Sequence, residues 1–198
     1  SQLTGSIFAK QLNLTGTRIY DGTVNVKASA LVLGGLVGSE TLTLSGVGTV
    51  VTKDVETGKT LSLGTLALGN GLNGGLASNY SFTGGPSSPI RTFDITWASL
   101  NVIASAVTKT YDGTTAATGA GTIATLAGAS AGEVISSSGI QAFLDKNAGG
   151  GKTVRASGVT VRDNTNTDVS GNYDIRYIDV TTGTINKASL DVTANAVT

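Results

Sequence analysis

The sequence predicts an all-β protein: two tandem β-sandwich-like or related small β-modules in an elongated arrangement. Three observations carry that prediction. Apolar residues recur with a period of two, the spacing of a strand with one buried face. Gly, Thr and Ser fill 28, 30 and 19 of the 198 positions, a composition of turns and solvated strands. The landmarks of the first half return in the same order in the second.

Alternation justifies the strands in turn. Val24, Val26 and Ala28 share one side, with Asn25 and Lys27 opposite. Leu42 and Leu44 alternate with Thr41, Thr43 and Ser45, and Leu61 and Leu63 with Thr60 and Ser62. In the second half Val159 and Val161 repeat the pattern, followed by Ile175, Tyr177 and Asp179. One apolar and one wet face per strand predicts antiparallel pairing, because parallel strands are usually covered on both faces. Gly34-Gly35 and Asn70-Gly71 read as turns and Gly69 to Gly75 as a loop. Pro86 and Pro89 bracket another exposed loop, since proline cannot donate to a central ladder. Gly119 to Ala131 is Ala-rich, but Gly121, Gly128 and several β-branched residues limit it to a single helical turn.

The repeat sets the domain organisation. Tyr20-Asp21-Gly22-Thr23 returns as Tyr111-Asp112-Gly113-Thr114, and Gly58-Lys59-Thr60-Leu61 as Gly151-Lys152-Thr153-Val154. Asn79-Tyr80 returns as Asn172-Tyr173, and Ile95 to Val102 as Ile185 to Val192. The offsets read from the numbering are 91, 93, 93 and 90 residues. The expected organisation is a first module over 1–97, a second over 98–187, and the start of a following repeat or a linker strand over 188–198. The first residue is Ser1, with no basic segment leading into an apolar one, so the expectation is a piece of a longer chain without its own signal peptide.

Composition narrows the function classes. Cys, His and Met are absent, which removes disulfides, thiolate chemistry and any His-containing metal site or triad. Charged residues make up 13% and balance to a formal net charge of zero, so no nucleic-acid partner is expected. Apolar runs such as Ala30 to Leu33 are too short to embed in a membrane.

Each motif has a structural and a chemical reading. Tyr20, Asp21, Gly22, Tyr111, Asp112 and Gly113 are expected as structural residues, with Asp capping backbone N–H groups, Gly taking positive φ and Tyr packing on its module. Tyr80 and Tyr173 are expected as anchoring rings beside a loop cap. Trp97, at the boundary of the modules, is expected to be buried there and to lock them together. The Gly-Lys-Thr pair lacks the Gly that a phosphate loop needs five positions earlier, where Lys53 and Lys146 stand instead. Asp163, Asn164, Asn166 and Asp168 could offer oxygen ligands to Ca²⁺, but no bidentate Glu follows, and an Asx-rich loop is the competing reading. Lys187 beside Asn186 is raw material for an isopeptide cross-link, yet its counterpart is Trp97, so the repeat does not keep the Lys. No catalytic residue and no cofactor is expected.

Taken together, the paired Tyr-Asp-Gly, Lys146-Asn147-Ala148-Gly149, Gly151-Lys152-Thr153-Val154, Gly171-Asn172-Tyr173 and Ile185-Asn186-Lys187-Ala188 resemble the YDG/MBG-type repeat. Such repeats occur in very large bacterial surface and secreted adhesins, including filamentous-haemagglutinin-like proteins exported by the two-partner route. The first module departs from the pattern at Lys53-Asp54-Val55-Glu56, Val24 and Trp97. The resemblance implies a non-enzymatic extracellular stalk on the bacterial surface that contacts neighbouring repeats and extends a distal binding region. The alternative it implies is a module that binds a surface glycan, a host or bacterial protein, or another copy of itself. Tyr80, Tyr173, Tyr177 and Trp97 are the candidate aromatics for that use.

Overall fold

The computed structural model describes residues 7–83, 89–119, 122–126 (backbone alone) and 132–194. The chain divides into two compact units, Ser1–Trp97 and Ala98–Thr198. Among the described residues the regular structure is β-strand, joined by three short 3₁₀ turns, Ala28–Ala30, Ala77–Asn79 and Ser170–Asn172.

The first unit contains β1 (Lys10–Gln11), β2 (Asn13–Ile19), β3 (Asn25–Lys27), β4 (Leu31–Gly34), β5 (Leu42–Ser45), β6 (Val47–Thr49), β7 (Glu56–Thr60), β8 (Ala67–Asn70), β9 (Tyr80–Ser81) and β10 (Arg91–Thr96). Its main sheet has the order β4-β2-β10-β7, and two-stranded ladders join β1 to β9, β3 to β6 and β5 to β8. Leu12, Leu14, Tyr20, Val26, Leu61, Phe93 and Ile95 are buried and form the core. At Gly16 the chain passes close to its own backbone. A Cβ there would stand 2.1 Å from the Ala30 carbonyl oxygen and 3.0 Å from the Phe93 ring.

The second unit contains β11 (Ala98–Ile103), β12 (Thr108–Thr110), β13 (Ala116–Ala117), β14 (Thr122–Leu126), β15 (Val134–Phe143), β16 (Gly149–Arg162), β17 (Tyr173–Ile178) and β18 (Val180–Asn186). One sheet runs β14-β11-β17 and the other β12-β18-β16-β15-β13. Leu100, Val102, Phe143, Val154, Val161, Tyr173 and Ile185 are buried in it. The parallel pairing repeats that of the first unit: β11 and β12 play the parts of β1 and β2, and β17 and β18 those of β9 and β10.

Strand direction departs from the expectation. The early strands of each unit pair in parallel with its late strands: β2 with β10 from Leu14↔Arg91 to Ile19↔Thr96, and β11 with β17 from Ala98↔Tyr173 to Ile103↔Ile178. The short β1–β9 and β12–β18 ladders are parallel as well, and the remaining ladders are antiparallel, so each module is mixed. Alternation reports which face of a strand is buried, and that is the same for either direction of the neighbour.

Two local expectations also change. The Ala-rich stretch contains strand β14 where a helical turn was expected, paired antiparallel to β11. Its β-branched Thr122, Ile123 and Thr125 suit a ladder better than a helix. Residues 120–121 and 127–131 of that stretch, and Pro86, lie outside the described residues. Leu61 and Leu63 follow the end of β7, where Ser62 bridges Thr49 in place of a full strand. Among the described residues no helix is long and apolar enough to cross a membrane.

Candidate functional site

The Tyr-Asp-Gly segments occupy the same structural position in both units. The Tyr20 amide donates to the Thr96 carbonyl, and the Tyr111 amide to the Asn186 carbonyl, each at 2.8 Å. Each motif therefore closes the parallel ladder between an early strand and the last one. Beyond it the chain reverses. Asp21 Oδ1 accepts the Thr23 amide at 3.0 Å and the Thr23 hydroxyl at 2.9 Å. Asp112 Oδ1 accepts both donors of Thr114 at 2.9 Å. Gly22 and Gly113 sit between at φ 73° and 79°, a backbone region that costs glycine little.

A cation that the sequence reading overlooked grips each turn. Arg18 pairs with Asp21, and its guanidinium donates to the Thr23 hydroxyl at 3.0 Å and to the Thr23 carbonyl. In the second unit Lys109 donates to Asp112 Oδ1 at 2.8 Å and to the Thr114 and Ala116 carbonyls, each at 2.9 Å. Arg18 and Lys109 stand three positions before the Asp in both copies, so the signal was a basic residue at one offset of the repeat. The two tyrosine rings differ: Tyr20 is fully buried, whereas Tyr111 is 40% exposed.

The second repeated contact joins Tyr to Glu across forty residues. The Tyr80 hydroxyl donates to Glu40 and accepts the Val37 amide at 3.0 Å. The Tyr173 hydroxyl donates to Glu133, and both of these residues are buried. The hydrogen bond to Glu40, aided by burial, raises the Tyr80 phenol above its ordinary pKa. Each Tyr opens its strand directly after a 3₁₀ turn ending at Asn79 or Asn172. Glu40 and Glu133 lie 93 positions apart, the offset of Tyr80 and Tyr173, but neither glutamate carries a local motif that marks it.

The Gly-Lys-Thr lysines form a third repeated contact. Lys59, buried, donates to the Thr52 hydroxyl at 2.9 Å and to Glu56 Oε2 at 2.6 Å. Lys152 donates to both oxygens of Asp145, at 2.8 and 2.9 Å. Both lysines lie within strands, β7 and β16.

The candidate calcium ligands lie between β16 and β17. Asp163 Oδ1 accepts the Thr165 amide at 3.0 Å, the Thr165 hydroxyl at 2.7 Å and the Thr167 amide at 3.1 Å. Asp168 Oδ1 accepts the Ser170 amide at 2.9 Å. These bonds describe an Asx-rich loop that also holds Asn164 and Asn166. Among the described residues no three His, Cys, Asp or Glu side chains gather as a metal set would require.

Trp97 departs from the buried ring expected of it, with 60% of its surface exposed. Its replacement by alanine is expected to shift stability by no more than about 0.5 kcal/mol, the range of ordinary surface substitutions, which a urea titration reads directly. In the tail, Leu190 and Val192 are 86% and 85% exposed, whereas their counterparts Leu100 and Val102 are fully buried in β11. Tyr111, Asn147 and residues 187–190 line an open groove of about 480 Å³ on the second unit. Residues 195–198 lie outside the described residues.

The carboxylates of the turns give the molecule an acid signature. Hydrogen bonds from Lys109 and Thr114 hold Asp112 down to about 2, from an ordinary 3.8. Lys152 lowers Asp145, Ser170 lowers Asp168 and Arg155 lowers Asp179. A carboxyl depressed in the folded state stabilises the fold above its ordinary pKa and loses that contribution as pH falls through the depressed value. Urea midpoints are therefore expected to hold steady from pH 7 to 5 and to fall from about pH 4 toward 2. Asp112→Asn is expected to flatten part of that fall.

A scan against models of known protein families matches the YDG domain twice, over residues 9–88 and 96–184. No curated protein and no solved structure matches the chain.

Proposed function

The chain belongs to the YDG-domain family and carries the domain twice; from that premise we propose that it is a non-enzymatic spacer, one stretch of the stalk of an extracellular bacterial adhesin. The observation that supports this reading is where the duplication kept its polar side chains. Arg18 and Lys109, Glu40 and Glu133, and Lys59 and Lys152 each bond within their own module. A repeat that preserves its internal fastenings suits a part whose task is to be folded and to be many. In such a stalk the modules neighbour further repeats, and a distal region meets the receptor on a cell or in the matrix.

A second reading, a module that binds a surface glycan or a second copy of itself, draws on the exposed Trp97 ring and the half-exposed Tyr111. Small-angle scattering over a dilution series separates a spacer from a self-adhesive module. The spacer reading expects a monomer whose length is about twice that of one module and does not change with concentration. Growth into dimers or fibres would overturn it in favour of self-association.

A further inference from the structure

We propose that each module is a load-bearing element whose paired early and late strands resist stretching between its own two ends. The argument starts from direction. β2 lies near the start of the first unit, β10 near its end, and they run parallel through six consecutive pairs, Leu14↔Arg91 to Ile19↔Thr96. Tension drawn through the chain pulls β2 toward its N-terminal end and β10 toward its C-terminal end. In a parallel pair those ends lie at opposite extremes of the ladder, so the strands must slide past one another and the bonds between them are loaded together. Strands that leave an antiparallel ladder from one shared end meet the load one bond at a time instead.

The surroundings of the pair suit that task. In the order β4-β2-β10-β7 it is the middle pair, flanked by strands on both sides. Leu14, Phe93 and Ile95 beside it are buried, which keeps water from competing for its bonds. Backbone bonds close it at both ends, Leu14 amide to Ile90 carbonyl and Tyr20 amide to Thr96 carbonyl, each 2.8 Å. Side chains reinforce the same seam: the Ile90 amide donates to Asn13 Oδ1 at 2.9 Å, and the Thr96 hydroxyl to the Arg18 carbonyl at 3.2 Å.

The second unit repeats the device with the same polarity. β11 runs parallel to β17 through six pairs, and β12 to β18 from Thr108↔Thr184 to Thr110↔Asn186. The Thr184 amide donates to the Val107 carbonyl at 2.9 Å, and Tyr111 closes the far end. Both units thus place the late strand alongside an early one and cap the seam at Tyr-Asp-Gly. Resistance to force is a rate property, set by the path of unfolding and not by stability alone. Stability at rest is therefore no guide to it.

The test is single-molecule stretching of the full chain with two attachment geometries. The chain contains no cysteine, so a pair introduced for handles reacts uniquely. Handles at residues 1 and 198 load both units end to end. Handles at V134C and R162C, a register pair at the open end of the antiparallel β15–β16 ladder, peel that ladder apart. A second pair, I140C with S157C on the same ladder, repeats the comparison if the first disturbs folding. End-to-end loading is expected to give two rupture events at forces several-fold above the peeling force. Rupture at or below the peeling force would overturn the proposal. The inference deepens the spacer reading, since a stalk transmits tension, but it rests on pairing within each module. Low rupture force with concentration-independent scattering removes the clamp alone, and self-association with high rupture force removes the spacer alone.

Discussion

Replacing Phe93 with alanine is expected to lower the stability of the first unit by about 3–5 kcal/mol, the range found for emptied aromatic core positions. Phe93 is fully buried on β10 and lies beside Gly16 on β2, so the loss falls on the central pair of the sheet. The reverse change at the same contact, Gly16→Ala, is expected to cost about 1–3 kcal/mol through overcrowding. The two neighbours of the new methyl group are not equivalent. Phe93 can yield, but the Ala30 carbonyl, 2.1 Å from the added carbon, is backbone. Phe93→Leu in the Gly16→Ala background should therefore fail to restore stability. Urea denaturation followed by circular dichroism reads all three variants, and a full rescue would show that the ring, not the carbonyl, sets the limit.

Tyr173→Phe is expected to cost about 1.5–3 kcal/mol, the value of a hydrogen bond to a charged group. The hydroxyl donates to Glu133, and both partners are buried, so water does not replace the lost donor freely. Glu133→Gln keeps an acceptor in place and should cost less than Tyr173→Phe. Equal losses in the two variants would mean that carboxylate charge, and not the donor, dominates. In the first unit Tyr80→Phe removes two partners at once, the Glu40 carboxylate and the Val37 amide, from a less buried site.

The strands and turns were legible because their causes are local. Val26 is buried between exposed Asn25 and Lys27, and Val159 and Val161 are buried two positions apart, as alternation requires. Asp-Gly encodes its own turn, and Gly22 and Gly113 both adopt positive φ. Strand direction was not legible, because the burial pattern of β2 is the same whichever way β10 runs. The contacts that matter most in the candidate site were half legible. Tyr80 and Tyr173 stood out as repeated aromatics, but their glutamates lie forty residues away and become partners only when the sheets form. Arg18 and Lys109 differ in residue type, so matching by identity passes over a pair that matching by charge retains. Trp97 attracted a structural role because a lone Trp at a boundary suggests burial, and burial is a property of the neighbours rather than of the ring.

The seam between β2 and β10 also governs when a module can come into being. Leu14 and Arg91 are 77 positions apart, so a strand that appears early along the chain waits for a partner that appears last. Contacts of such long range are slow to form, since most of a loop must be closed before they repay its lost entropy. A chain emerging from its N-terminal end therefore cannot complete the four-stranded sheet until nearly the whole module is out. The central sheet then closes once per module, with the last strand to appear, however early its shorter ladders form.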